Sequence, residues 1–381
     1  MRPLIWGPMN GPHKSATPAP KHNAIVKFSV NCAMCGTTSE QYRINPRLFW
    51  HQALDIDLQP RNFQTLKGME SQHPPLYYMW HCPACHFTAG YKYFSDPLKD
   101  VAIRVDMVSQ RLRETYKNNP AFKALTDKLS ENITPHDADF FQAIKLHLLA
   151  IQMLTVIEKM VKQNFLNLGR YFLRLGWLHR DLQERPEQYA ALNAPLTELH
   201  TTLRAWWPDI PDGEASALKQ AAEYYSRTLE DSHLLKTPVD KINVHQLIGR
   251  IHIKLGDPIR AREILMESID HSRRLKTQVD EELKADSGRL SQMDPGQRGE
   301  LVSQSRRLST LADDAQMLME RIREDWLVRQ RELAKRLIRE NAGKTPAEIR
   351  DILIKNRVDR GTVDDLAPPP DQKKGLFKLF G

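Results

Sequence analysis

The sequence predicts a mainly α protein with a small β, metal-binding region at its N-terminal end. Three observations predict it. All four cysteines fall in two pairs, Cys32-Ala-Met-Cys35 and Cys82-Pro-Ala-Cys85. Two intervening residues let two thiolates grip one ion from a tight turn, and two such pairs make a closed tetrahedral site, as in a zinc ribbon. From residue 100 onward apolar residues recur every three or four positions, the helical period. Within that helical region a glycine-spaced pattern occurs twice, in the layout of a tetratricopeptide-like array.

A chain of 381 residues is long enough for two or more domains. Composition divides it into a disordered leader (residues 1–24), a zinc-ribbon-like domain (25–99), a tetratricopeptide-like helical domain (100–275), charged amphipathic helices (276–357), and a linker with a basic, apolar tail (358–381). The leader is rich in proline and polar groups and lacks the layout of a signal peptide. The net charge is +8, but residues 101–300 are neutral and the excess is split between the two ends. No segment reads as a nucleic-acid tail. The most apolar window, Ile144 to Val161, is interrupted by Lys145, His147, Glu158 and Lys159, so no membrane span is expected.

Taken in order, Ala24 to Val30 reads as a strand running into the first cysteine pair. Gly36 follows that pair, where the turn needs a positive φ that glycine adopts freely. Pro83 pre-sets one angle of the second turn. His86 stands where glycine would be expected, and histidine is among the residues that tolerate positive φ. Leu76 to His81 and Thr88 to Phe94 read as further strands. Between the pairs lie Phe49, Trp50, Leu54, Ile56, Leu58 and Phe63. The aromatic run Tyr77, Tyr78, Trp80, Tyr91, Tyr93, Phe94 is either a stacking platform for bases or packing around the metal and the helices that follow. The missing basic interleaving favours packing.

His51, His73, His81 and His86 could each serve as a ligand, but four thiolates already close the shell. Zinc is the expected ion, and iron in a rubredoxin-like site is the alternative. Disulfides would need an oxidising compartment, whereas a cytoplasmic, reduced protein is expected.

Residues 100–117 and 121–131 read as helices split by Asn118-Asn-Pro120. Phe140 to Asn164 carries an apolar stripe of Phe141, Ile144, Leu148, Ile151, Leu154 and Ile157. An echo follows. Leu168-Gly169 precedes Phe172 and Gly176, and Ile248-Gly249 precedes His252 and Gly256-Asp257. Ala261 and Leu265 continue the second copy, while the first helix runs on through Leu182. Ala221, Tyr225 and Thr228 resemble the second helix of another, degenerate repeat. About three helix pairs are therefore expected.

Residues 276–292 and 300–341 read as amphipathic helices. The second carries a narrow seam of Leu308, Leu311, Ala315, Leu318, Ile322 and Trp326. Thr345-Pro-Ala-Glu348 is a capping box that starts a last helix to about Asn356. Residues 361–372 contain three consecutive prolines and read as a linker. The tail then sets Leu376, Phe377, Leu379 and Phe380 among three lysines.

The combination of Cys32-x-x-Cys35-Gly36, a long aromatic-bearing loop, Tyr78-x-Trp80-x-Cys82-Pro83-x-Cys85, and Leu173-Arg-Leu-Gly-Trp177 with Arg180 resembles the bacterial family called domain of unknown function 2225, over roughly residues 25–275. The resemblance implies a cytoplasmic protein with a zinc ribbon and tetratricopeptide-like helices. It implies no activity.

The sequence contains no phosphate loop, no His-Glu-x-x-His and no nucleophile elbow, and no enzyme is expected. The expected role is a non-enzymatic scaffold that holds protein partners through the helical array and through its tail. The alternatives are a nucleic-acid-binding zinc ribbon and an iron redox module.

Overall fold

The computed structural model describes residues 24–65, 72–95, 105–159, 165–231, 235, 237–287 and 294–368. The leader, apart from residue 24, and the tail from residue 369 lie outside the described residues. The protein is mainly α, with a small β region at its N-terminal end.

Three antiparallel hairpins form the β region. The strands β1 (Ile25–Asn31) and β2 (Thr38–Ile44) pair from Ile25↔Ile44 to Asn31↔Thr38. The next pair, β3 (Phe49–Leu54) and β4 (Pro60–Thr65), was not foreseen in the sequence. The last, β5 (Met79–His81) and β6 (Thr88–Gly90), is shorter than expected. Pro74 and Pro75 turn the start of the expected strand into a 3₁₀ turn, Pro74–Tyr77. At its other end the Tyr93 amide donates to the Gly90 carbonyl at 2.8 Å, which closes a turn in place of a longer strand.

The helices are α1 (Val105–Asn118), α2 (Pro120–Ser130), α3 (Phe140–Glu158), α4 (Phe165–Gln183), α5 (Pro186–Leu203), α6 (Glu214–Glu230), α7 (Pro238–Lys254), α8 (Pro258–Ser287), α9 (Pro295–Glu340), α10 (Pro346–Lys355) and α11 (Arg360–Leu366). Local chemistry sets several starts. Asn119 and Asp139 cap α2 and α3 by accepting from the Phe122 and Gln142 amides, satisfying donors that a helix start leaves open. Thr237 with Asp240 and Thr345 with Glu348 form capping boxes ahead of a first-turn proline.

The expected linker over 361–372 is corrected by α11 as far as Leu366, and residues 369–372 lie outside the described residues. Asp359 caps it by accepting from the Thr362 amide, and Val363 packs with Ala334, Leu353, Val358 and Ala367. The apolar stripe expected on α3 is also too narrow. Ala143, Leu146, Leu149, Ala150 and Met153 are buried as well, because β5 and β6 cover one side while α1, α2 and α4 cover others. Among the described helices, α3 is the one long and apolar enough to cross a membrane, and most of it is buried in the protein interior.

Each glycine at the head of the echo lies where two helices touch. A methyl group on Gly249 would stand 2.9 Å from Leu265 Cγ on α8, and one on Gly169 would stand 3.0 Å from the Tyr225 ring on α6. The helix bearing Tyr225 is thus the partner of the Gly169 helix rather than part of a further repeat. Among the described residues two helix pairs carry this contact, α4–α6 and α7–α8. The intervening α5 is an excursion between the members of the first pair. The later glycines differ. Gly176 meets Leu218 across the same helix pair, whereas Gly256 is a turn residue at φ 73°.

Gly249→Leu should overpack the α7–α8 contact and cost about 1–3 kcal/mol. A thermal or urea melt checks this, and an unchanged midpoint would remove Gly249 from the helix contact.

Candidate metal centre

Both cysteine pairs sit at hairpin tips. Cys32 to Cys35 connects β1 to β2, and Cys82 to Cys85 connects β5 to β6. The two tips are built alike. In the first, the Gly36 amide donates to the Cys32 carbonyl at 2.9 Å and the Cys32 amide donates to the Thr37 carbonyl at 3.0 Å. In the second, the His86 amide donates to the Cys82 carbonyl at 2.8 Å and the Cys82 amide to the Phe87 carbonyl at 2.9 Å. Gly36 and His86 take the same left-handed conformation, φ 75° and 61°, so the histidine keeps the turn that glycine would make.

These turns bring all four sulfurs within 4.8 Å of one another. Cys32 Sγ lies 3.6 Å from Cys85 Sγ, and Cys35 Sγ lies 3.6 Å from Cys82 Sγ. Four sulfurs at about 2.3 Å from a tetrahedral ion would stand about 3.8 Å apart. The donor set therefore fits one four-coordinate metal ion. The Met34 amide, 3.4 Å from Cys32 Sγ, supplies a donor to a thiolate there. Hydrogen bonding from Cys85 holds the Cys32 thiol down at about 5. Burial pushes Cys82 up to about 11. The contact with Cys32, reinforced by burial, pushes Cys85 up as well.

None of the four candidate histidines joins the cluster. His81 is buried and shares a 2.8 Å hydrogen bond with Thr88 Oγ1. His73 Nε2 lies 2.8 Å from Asp181 Oδ2. His51 is exposed on β3, and the ring of His86 stacks on that of His81.

The tips do not stand alone. The buried Gln41 amide donates to the His81 carbonyl at 2.7 Å and accepts from the His81 amide at 3.2 Å, joining the two hairpins. Ser109 Oγ on α1 donates to the Met34 carbonyl at 2.5 Å, and Arg113 donates to the same oxygen at 2.9 Å. Trp80 and Phe94 are buried, and Tyr78 lies beneath the Arg174 guanidinium, 3.4 Å from its ring centre. Much of the aromatic run is therefore packing.

A second cluster ties the β3–β4 tip to the helices, and sequence reasoning missed it. Asp57 is fully buried. Arg180 donates to Asp57 through both terminal nitrogens, at 3.1 and 2.7 Å. It also donates to Asp55 at 3.2 Å, to Gln59 at 2.5 Å and, through Nε, to Glu214 on α6 at 2.8 Å. Trp177 Nε1 donates to Asp57 at 3.0 Å. From α7, Lys254 pairs with Asp55 at 2.8 Å and Arg250 donates to the Ile56 carbonyl at 3.2 Å. Burial opposes the Arg180 charge, but Asp57 and Glu214 outweigh it and hold its pKa above the usual arginine value. Leu58 at the tip has φ 67°, a conformation costing a branched residue about 1–2 kcal/mol. The alternating polar run Asp55-Ile-Asp-Leu-Gln59 was the available signal, because buried carboxylates need a cation.

A family model described as an uncharacterized protein conserved in bacteria, DUF2225, matches residues 25–287. The match takes in both cysteine pairs, Trp177 and Arg180, and leaves α9 to α11 outside. No curated protein and no solved structure matches the chain.

Cys82→Ser should abolish stoichiometric metal binding. It should also raise hydrogen exchange across residues 25–95 and the α1 and α3 surfaces beneath them, while α7 to α9 keep their protection. Metal uptake should release protons, since Cys82 and Cys85 are protonated near neutral pH without an ion, and affinity should fall as the pH is lowered. An indicator dye during titration with zinc checks this. Arg180→Met leaves Asp57 buried without its cation and should cost about 3–5 kcal/mol in a urea melt. Adding Asp57→Asn should recover part of that loss.

Proposed function

From its own residues and from the bacterial family DUF2225, to which the chain belongs, we propose that this protein is a non-enzymatic cytoplasmic scaffold with a structural zinc ion and a protein-binding helical array. The observation that carries the zinc reading is the closed set of four sulfurs at tetrahedral spacing. Cys32, Cys35, Cys82 and Cys85 would hold the ion. Its contribution there is to cross-link two hairpin tips, because four protein ligands leave no position for a water or substrate. Zinc rather than iron follows from the frequency of such closed sites among structural zinc centres. Paired thiols kept reduced belong in a compartment such as the bacterial cytoplasm.

Support for a partner-binding role comes from α4–α6 and α7–α8, whose glycine contacts follow the tetratricopeptide layout. Such pairs present extended surfaces to peptides and helices. Nucleic-acid binding is disfavoured because Tyr77, Trp80 and Phe94 are buried and unable to stack on bases.

Protein purified under reducing conditions should contain one zinc per chain by elemental analysis and be colourless. A red, iron-loaded protein would replace the scaffold with a redox module. Affinity capture from the native host should recover protein partners that persist after nuclease treatment. Recovery of nucleic acid, lost steeply as salt is raised, would favour the nucleic-acid reading.

A further inference from the structure

An apolar groove of about 900 Å³ runs between the first turns of α8 and the second half of α9. Ile269 and Ile322 form its buried floor, and Ile259, Met266, Met319 and Trp326 line it. Ile259 is 74% exposed, Met266 47% and Trp326 40%. Large apolar side chains gathered in one concave strip mark a docking surface rather than the scattered exposure found on any protein. The rim carries three carboxylates and three arginines, so apolar area rather than charge selects the occupant.

The same side of α9 leads on to the place where α10 and α11 dock. Met319, Arg323 and Trp326 lie within about 80° of Ala334 around the helix axis, and Ala334 packs with Leu353, Val363 and Ala367. The Asp359 amide donates to Gln330 Oε1 at 3.0 Å. Along α9, Ala334 is about 12 Å from Trp326 and about 18 Å from Ile322. The described chain reaches Pro368 beside Ala367. From Pro368 to Leu376 is a span of up to about 26 Å. Leu376, Phe377, Leu379 and Phe380 can therefore reach the whole apolar length of the groove. They are the four large apolar residues in the stretch from 369 to 381.

We propose that the tail, residues 369–381, occupies the α8–α9 groove of its own chain, with Leu376, Phe377, Leu379 and Phe380 set against Ile259, Met266 and Trp326. The contact needs no second molecule, so it stands apart from the scaffold reading. It makes the groove self-covered in the free protein, and any partner segment of similar apolar character must displace the tail to bind there. A short tether holds the tail at an effective concentration on the order of millimolar. A separate peptide of the same sequence therefore competes poorly with it.

The test uses the full-length chain and a fluorescent synthetic peptide of residues 369–381, followed by anisotropy. The peptide should bind the chain carrying Phe377→Ser and Phe380→Ser, whose own tail can no longer fill the groove. It should bind the wild-type chain at least about tenfold more weakly. Adding Met266→Glu to the tail variant should abolish binding, while circular dichroism shows the helices intact. Equal affinity for the wild-type and tail-variant chains would overturn the proposal, and so would no binding to the tail variant. Binding that survives Met266→Glu would place the peptide elsewhere and overturn it as well. Competition that fades as the wild-type chain is diluted, with a dimer seen by light scattering, would mean exchange of tails between copies and would overturn the intramolecular arrangement.

Discussion

The buried guanidinium of Arg180 holds together parts of the chain that no local pattern connects. Its donors reach Asp55, Asp57 and Gln59 at the β3–β4 tip and Glu214 on α6. A charge removed from water costs several kcal/mol unless paired and hydrogen-bonded on all sides. Asp57 and Arg180 are each tolerated because the other is present. This mutual dependence specifies one docking of the hairpin on the helices, since a displaced tip would leave both charges buried and unpaired. Lys254 and Arg250 extend the hold to α7, so a single turn joins three helices and absorbs the strain at Leu58.

The metal centre and this ionic cluster act at two places on one interior. The cysteine tips, the aromatic residues behind them and α1 to α7 share a continuous apolar core. The β region is therefore not an independent bead on a string. Its sheets have two strands each, and β5 and β6 have only three residues each, too few to persist without further support. The Gln41 amide joining the hairpins, and Ser109 and Arg113 holding the Met34 carbonyl, supply that support from different directions, and the four facing sulfurs could hold an ion that bridges the two tips.

The helices past α7 are built differently. The packing of α8 against α9 rests on small clusters, Ala261, Leu265 and Ile269 with Ala315, Leu318 and Ile322, and Val239 and Ile242 with Val279 and Leu308. The apolar stripe of α9 is wider than this seam, and Met319 and Trp326, with Ile259 and Met266 of α8, line the groove along one side of the packed pair. Downstream, α10 and α11 cover the next stretch of the same stripe.

The sequence by itself determined what is local. Two residues between cysteines set the knuckle turns. Thr345 and Glu348 set a helix start through contacts three residues apart. Gly249 and Leu265 could be assigned to two successive helices because helices joined by a short turn keep a regular spacing. Even the left-handed His86 was legible, since the turn demands that conformation of whichever residue stands there. Tertiary structure decided what depends on distant partners. Asp57 and Arg180 are more than a hundred residues apart, and neither periodicity nor spacing links them. The partner of α4 is α6 and not the intervening α5, because the small surface at Gly169 accepts Tyr225. The burial of most of α3, and the folding of α11 where prolines suggested a linker, were likewise settled by surfaces that exist only once the rest of the chain is in place.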